Sequence, residues 1–157
     1  MSVLAAIAAF VLTSPAFSPG GAIPTTYACD GAGSSPPLHW TAPPRGTRSL
    51  ALSVKDPDAP SGTFVHWTGW NLSPQRRGLG IGRHAPVEGR NSAGTRGYIP
   101  PCPPRGLAHH YVFRLYALRS KLRLVAGASP AAFDRALRGR VIATAKLVGR
   151  YQRRTPT

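Results

Sequence analysis

Two short stretches of the chain set titratable side chains beside proline-locked turns. Asp56-Pro57-Asp58-Ala59-Pro60 runs into His66-Trp67, and Tyr98-Ile99-Pro100-Pro101-Cys102-Pro103-Pro104 runs into His109-His110-Tyr111. Imidazole and phenol groups can donate hydrogen bonds to a phosphate or carboxylate oxygen, and a carboxylate can hold an imidazole in one tautomer. Together the two stretches look like one small anion pocket, with Asp56, His66 and Tyr111 among its candidate side chains. Each has an ordinary alternative. An aspartate before proline commonly bonds its own backbone, a histidine between apolar residues is commonly a hydrogen-bonded core residue, and Tyr111 is unexceptional in a strand.

The elements around these residues read as strands. Residues 49–55 alternate apolar with small or polar side chains, and Asp56-Pro57 ends the run. Pro57 and Pro60 fix φ and lack N–H donors, so 56–60 is expected to be a rigid turn that aims Asp56 and Asp58. Residues 63–72 are rich in aromatic and β-branched types. Strict alternation there puts Phe64, His66, Thr68 and Trp70 on one face, and Val65, Trp67 and Asn71 on the other. Phe64 is then a candidate pocket residue and Trp70 a core residue. Residues 109–118 align His109, Tyr111, Phe113 and Leu115 on one face, with His110 excluded. Between these strands, 73–106 is a long Gly- and Pro-rich connection, of the kind that is functional or mobile in a compact domain. Ser129-Pro130 suits the start of a helix with Phe133 and Leu137 on its apolar side, and Gly139 suits its end. Residues 141–151 alternate like a strand, although their first few could extend that helix.

At 157 residues the chain is expected to be one domain, 1–157. Its 17 Gly and 17 Pro follow no fixed period and punctuate turns in a β-rich fold. The net charge is +15, and all but Lys55, Lys121 and Lys146 of the 20 basic residues are arginine. Such a field attracts anions. The arginines are scattered among several segments without interleaved aromatics, so no specific nucleic-acid partner is expected. No apolar run approaches a membrane span. The Ala-rich run 3–12 has the composition of a secretion-signal core, yet no Lys or Arg precedes it, which favours a cytoplasmic location over a periplasmic or secreted one.

The two stretches above, with Cys29-Asp30-Gly31, Ser35-Pro36-Pro37-Leu38 and Trp40 before them, resemble the phosphatidylethanolamine-binding protein family in its bacterial Raf-kinase-inhibitor-like branch. The resemblance runs from about Leu12 to Arg153. It implies a mainly β fold, an antiparallel β-sandwich with one or two short helices. It also implies a ligand pocket built from Asp56, His66, His109 and Tyr111, with Gly97, Tyr98, Pro101 and Pro103 as looser candidates for its wall. Asp56 would orient an imidazole or accept a proton from the ligand, and Asp58 would stabilise the turn. Ile99 or Pro100 stands where the family commonly has Gly, His110 where Arg is frequent, and Ala32-Gly33 where a polar pair is usual. Cys29 and Cys102 occupy positions at which the branch often carries cysteines. Pairing in an oxidising compartment and free thiols in the cytoplasm are both open.

The function these features imply is a non-enzymatic binding protein for a phosphate-type anion or a phosphorylated group, with modulation of a kinase or another protein partner in view. No cofactor is implied, and the oligomeric state is open, a homodimer included. Three alternatives stand beside it. Cys102 with His109 or His66 could form a hydrolase, Asp56, His66 and His109 could form a two-histidine, one-carboxylate metal site, and the charge alone could support nonspecific nucleic-acid binding.

Overall fold

The computed structural model describes residues 8–154, so part of the 3–12 run lies outside the described residues. The elements in chain order are β1 (Leu12–Thr13), a 3-10 turn (Thr25–Tyr27), β2 (Leu38–Trp40), β3 (Ser49–Asp56), β4 (Phe64–Leu72), β5 (Gly78–Leu79), β6 (Val87–Glu88), β7 (His109–Leu118), α1 (Pro130–Leu137) and β8 (Val141–Tyr151). All strand pairings between them are antiparallel. Strands β1-β2-β5 form a small sheet, and β6-β4-β3-β7-β8 form a large one. The expected β-sandwich is thus observed. Residues 141–151 are strand throughout, pairing with β7 from Leu118↔Val141 to His109↔Tyr151.

The principal core lies between the sheets. Leu12, Leu38, Trp40 and Leu79 of the small sheet meet Leu52, Val54, Trp67, Phe113 and Leu115 of the large one, all nearly sealed from solvent. The other face of the large sheet is only partly covered. Helix α1 lays Phe133 and Leu137 on Ala51, Trp70 and Leu118 there. Its start is as the sequence predicts: the Ser129 hydroxyl accepts from the Ala132 N–H at 3.1 Å, and Pro130 occupies the first turn, where a missing N–H costs nothing.

Two irregularities in β4 correct the strict alternation. The register steps by one residue between Val54↔Trp67 and Lys55↔Val65, and again between Leu50↔Leu72 and Leu52↔Gly69. Each step adds one residue to β4, a β-bulge that turns the following side chains to the opposite face. Trp67 therefore joins the inter-sheet core beside Val54, and Trp70 joins the α1 side instead of sharing the His66 face. At the second step Asn71 takes a left-handed φ of 61°, and its side-chain amide bonds both the N–H and the carbonyl of Leu122.

Candidate functional site

Strand β3 ends at Asp56, which pairs across to Phe64 at the start of β4, while β7 begins at His109 on the other side of β3. Three neighbouring strand ends thereby place Asp56, Phe64, His66, His109 and Tyr111 around one cavity of about 190 Å³. Asp56, His66, His109 and Tyr111 are 3%, 5%, 8% and 0% exposed, so their polar atoms find partners inside the protein or in whatever enters the cavity.

Asp56 has two tasks. Its Oδ1 accepts the Asp58 N–H at 2.8 Å, the turn-forming bond expected of an aspartate before proline, and its Oδ2 lies 2.7 Å from His109 Nδ1. A carboxylate only accepts, so Nδ1 carries the proton and Nε2 is left over. His66 is anchored in the same way: Nδ1 donates to the Ile99 carbonyl at 2.8 Å, and Ile99 N–H returns a bond to the His66 carbonyl at 2.9 Å. Burial pushes the His66 pKa below its ordinary 6.5, opposed by the Ile99 bond and by the Asp56 charge. The Tyr111 ring meets His66 edge to face at a centroid separation of 5.2 Å. Its hydroxyl is buried and has no hydrogen-bond partner among the described residues. Burial raises its pKa, so the phenol stays protonated and remains a donor.

The remaining lining comes from Ala59 and Pro60 of the first turn and from Ile99, Pro100, Cys102, Pro103 and Pro104. Of the looser wall candidates only Pro103 lines the cavity. Gly97 lies beyond it with φ 90°, where a Cβ would come within 3.2 Å of Glu88 Oε1. Tyr98 turns away, packs on Trp67 and donates to the Tyr27 carbonyl at 2.7 Å. Pro101 faces the chain before β2, its carbonyl accepting the Cys29 N–H at 3.0 Å. These three brace the wall from behind. A periodicity argument has no purchase on a segment without regular structure, which is why they were not separable from Ile99, Pro100 and Pro104 in the sequence.

Cys29 and Cys102 form a disulfide across 73 residues. It ties the proline wall to the segment after the 3-10 turn and leaves Cys102 without a thiol. Asp58 does more than stabilise its turn, since its Oδ2 takes both the backbone N–H and the Nδ1 of His110 at 2.7 Å. His110 itself is exposed and outside the cavity. Among the described residues, Asp56, His66 and His109 do not converge as a three-ligand metal group. Sequence reasoning missed Glu88, a buried carboxylate that accepts from the Trp67 indole N–H and bonds His84 Nδ1. Nothing in its local sequence marks it.

The sequence profile of the family described as phosphatidylethanolamine-binding protein matches residues 13–152. A protein of Methanothermobacter thermautotrophicus named UPF0098 protein is 46% identical over 149 residues, covering 90% of this chain and 98% of that one. The crystal structure of CT736 from Chlamydia trachomatis, a phosphatidylethanolamine-binding protein homologue, superposes with a TM-score of 0.88. It is 44% identical and covers 92% of this chain and 98% of its own. E. coli YbcL superposes with a TM-score of 0.87 at 34% identity, covering 94% and 100%. A Mycobacterium tuberculosis protein named as a lipoprotein, LppC, is 39% identical over 145 residues, covering 90% of this chain and 71% of its own.

Proposed function

This chain belongs to the phosphatidylethanolamine-binding protein family, and from that premise we propose that it is a binding protein whose cavity receives a phosphate-type oxyanion, free or carried on a larger ligand. The observation that carries this reading is the Tyr111 hydroxyl, buried without a partner in the wall of a cavity that also holds His66 and His109. An unsatisfied buried donor costs about 1–3 kcal/mol, a cost that an oxyanion accepting its hydrogen bond removes. The anchoring of both imidazoles through Nδ1 supports the same reading. In the imidazolium form each Nε2–H becomes a further donor, while Asp56 holds the His109 tautomer.

Binding without catalysis is favoured over the hydrolase alternative because Cys102 is bonded to Cys29 and carries no thiolate to attack an ester or peptide. Among the described residues no helix is long and apolar enough to cross a membrane. The disulfide favours a periplasmic or secreted location over the cytoplasmic expectation, because such bonds persist in oxidising compartments.

The test is a titration of inorganic phosphate and of phosphoserine followed through the imidazole resonances of His66 and His109 at moderate salt. Both sets are expected to shift, and His66→Ala to abolish the effect. If the double variant Asp56→Ala/His66→Ala binds phosphate as tightly as the parent, the pocket is not the binding site.

A further inference from the structure

The strands that carry the cavity present a second surface on their reverse side. Where Asp56, Phe64 and Tyr111 face the cavity, their neighbours Lys55, Val65 and Val112 face a recess of about 420 Å³, completed by Pro57, Thr63, Arg114 and Asp134. Helix α1 covers only the end of this face near Ala51, Trp70 and Leu118. The register sets Val112 opposite Val148 and Arg114 opposite Lys146. Residues directly opposite in an antiparallel pair share a face, so the uncovered sheet carries an apolar strip beside two cations in one cross-strand pair. Like charges so placed repel, and neither Arg114 nor Lys146 has a carboxylate or side-chain hydrogen-bond partner among the described residues. The carboxylates bordering this face are already engaged, Asp134 by Lys55 at 3.1 Å and Asp58 by His110 at 2.7 Å.

The geometry points to this recess as a docking surface for an extended acidic segment of another protein, its carboxylates meeting Arg114 and Lys146 and its apolar side chains resting on Val112 and Val148. Charge complementarity selects the sign, and side chains two residues apart on an extended segment share a face, so a valine followed two residues later by a glutamate matches Val112 beside Arg114. The other polyanions fit less well. Stacking of single-stranded nucleic acid needs aromatic side chains, and the recess lining has none. A bilayer surface does not enter a concavity. A second copy of a chain with net charge +15 brings the wrong sign.

The experiment uses the whole chain and a fluorescein-labelled peptide of Val-Ser-Glu-Ser repeats, which carries valine and glutamate in turn along one face when extended, read by anisotropy at about 150 mM salt, where long-range surface attraction is largely screened. Arg114→Glu/Lys146→Glu is compared with Arg83→Glu/Arg123→Glu, which makes the same change in net charge at exposed positions outside the recess. The first variant is expected to weaken peptide binding by about tenfold or more, and the second by no more than about twofold. Lys146→Glu alone, on the edge strand, keeps the test decisive if the double variant does not fold. Undiminished binding, or equal weakening by both double variants, overturns the proposal. So does tighter binding to a single-stranded oligonucleotide of matched charge, or to vesicles of phosphatidylcholine and phosphatidylserine, than to the peptide. None of these outcomes depends on the phosphate titration, so this surface and the cavity stand or fall separately.

Discussion

Oδ2 of Asp56 and Nδ1 of His109 lie 2.7 Å apart, and the other oxygen of the same carboxylate closes the turn onto the Asp58 N–H. Asp56→Asn separates the two tasks. The amide oxygen can still accept from Asp58, so the turn is retained, but the amide N–H₂ opposes a donor on His109 Nδ1. The His109 proton is then expected to move to Nε2, which nitrogen-15 shifts of the ring report directly. A ring that keeps its proton on Nδ1 in the variant would show that Asp56 does not set the tautomer.

Removing the Tyr111 hydroxyl should strengthen the fold and weaken binding. Tyr111→Phe deletes an unsatisfied buried donor, a gain of about 1 kcal/mol, which in a domain of this size raises Tm by about 2–4 °C. Phosphate affinity is expected to fall by about tenfold, the worth of one hydrogen bond to a charged group. Thr68 is the control, because its buried hydroxyl also lacks a partner among the described residues but lies outside the cavity. Thr68→Val should raise Tm in the same way and leave phosphate binding unchanged. A Tyr111→Phe protein that binds phosphate like the parent would remove Tyr111 from the site.

The pH dependence follows from His66. Its folded pKa lies below 6.5 because burial disfavours the imidazolium, so as pH falls the unfolded chain takes up this proton first. The stability it contributes is present above about pH 6.5 and is lost as pH falls from there toward the folded value. An anion in the cavity favours the protonated ring and acts in the opposite direction. Sulfate, whose charge is constant over this range, should therefore bind more tightly as pH falls from about 8 to about 6, with proton uptake visible by calorimetry in buffers of different ionisation enthalpy. Affinity independent of pH would mean that His66 does not take up a proton on binding.

The disulfide closes a loop long enough that its loss, as Cys29→Ser/Cys102→Ser or by reduction, should cost roughly 4 kcal/mol in the chain-entropy model. Urea midpoints of the oxidised and reduced protein measure this. Amide exchange at Ile99 and Cys102 should rise further than at Val54 or Phe113, since the bond anchors the wall and not the central strands. Uniform loosening of the whole sheet would contradict that local role.

Much of the architecture is legible in the residues because it is periodic. Strands 49–55, 63–72 and 109–118 announce themselves by alternation, α1 by Ser129-Pro130 and the Phe133/Leu137 pair, and His109 with Tyr111 by their common parity. The phase of β4 is not legible. Nothing around His66-Trp67 or Trp70-Asn71 marks an inserted residue, so the exchange of Trp67 and Trp70 between faces appears only once the strand is paired with β3. The sequence left the pairing of Cys29 with Cys102 open beside free thiols, because it rests on tertiary proximity across 73 residues. Of the residues the sequence offered for the wall, Pro103 borders the cavity while Tyr98 and Pro101 turn behind it, a difference that no periodicity marks in a segment without regular structure.

Proline occupies positions 100, 101, 103 and 104 of that wall, and Ile99 has already committed its N–H to the His66 carbonyl. Phosphate sites at glycine-rich loops grip through a nest of main-chain amides that hold a fixed partial charge at any acidity. Within residues 99–104 that leaves only the Cys102 amide. On the proposed reading, an oxyanion here is held by side-chain donors, of which the Tyr111 phenol is permanent and the buried His66 imidazole gains its second proton only as the surroundings acidify, so a rise in pH is the signal for release.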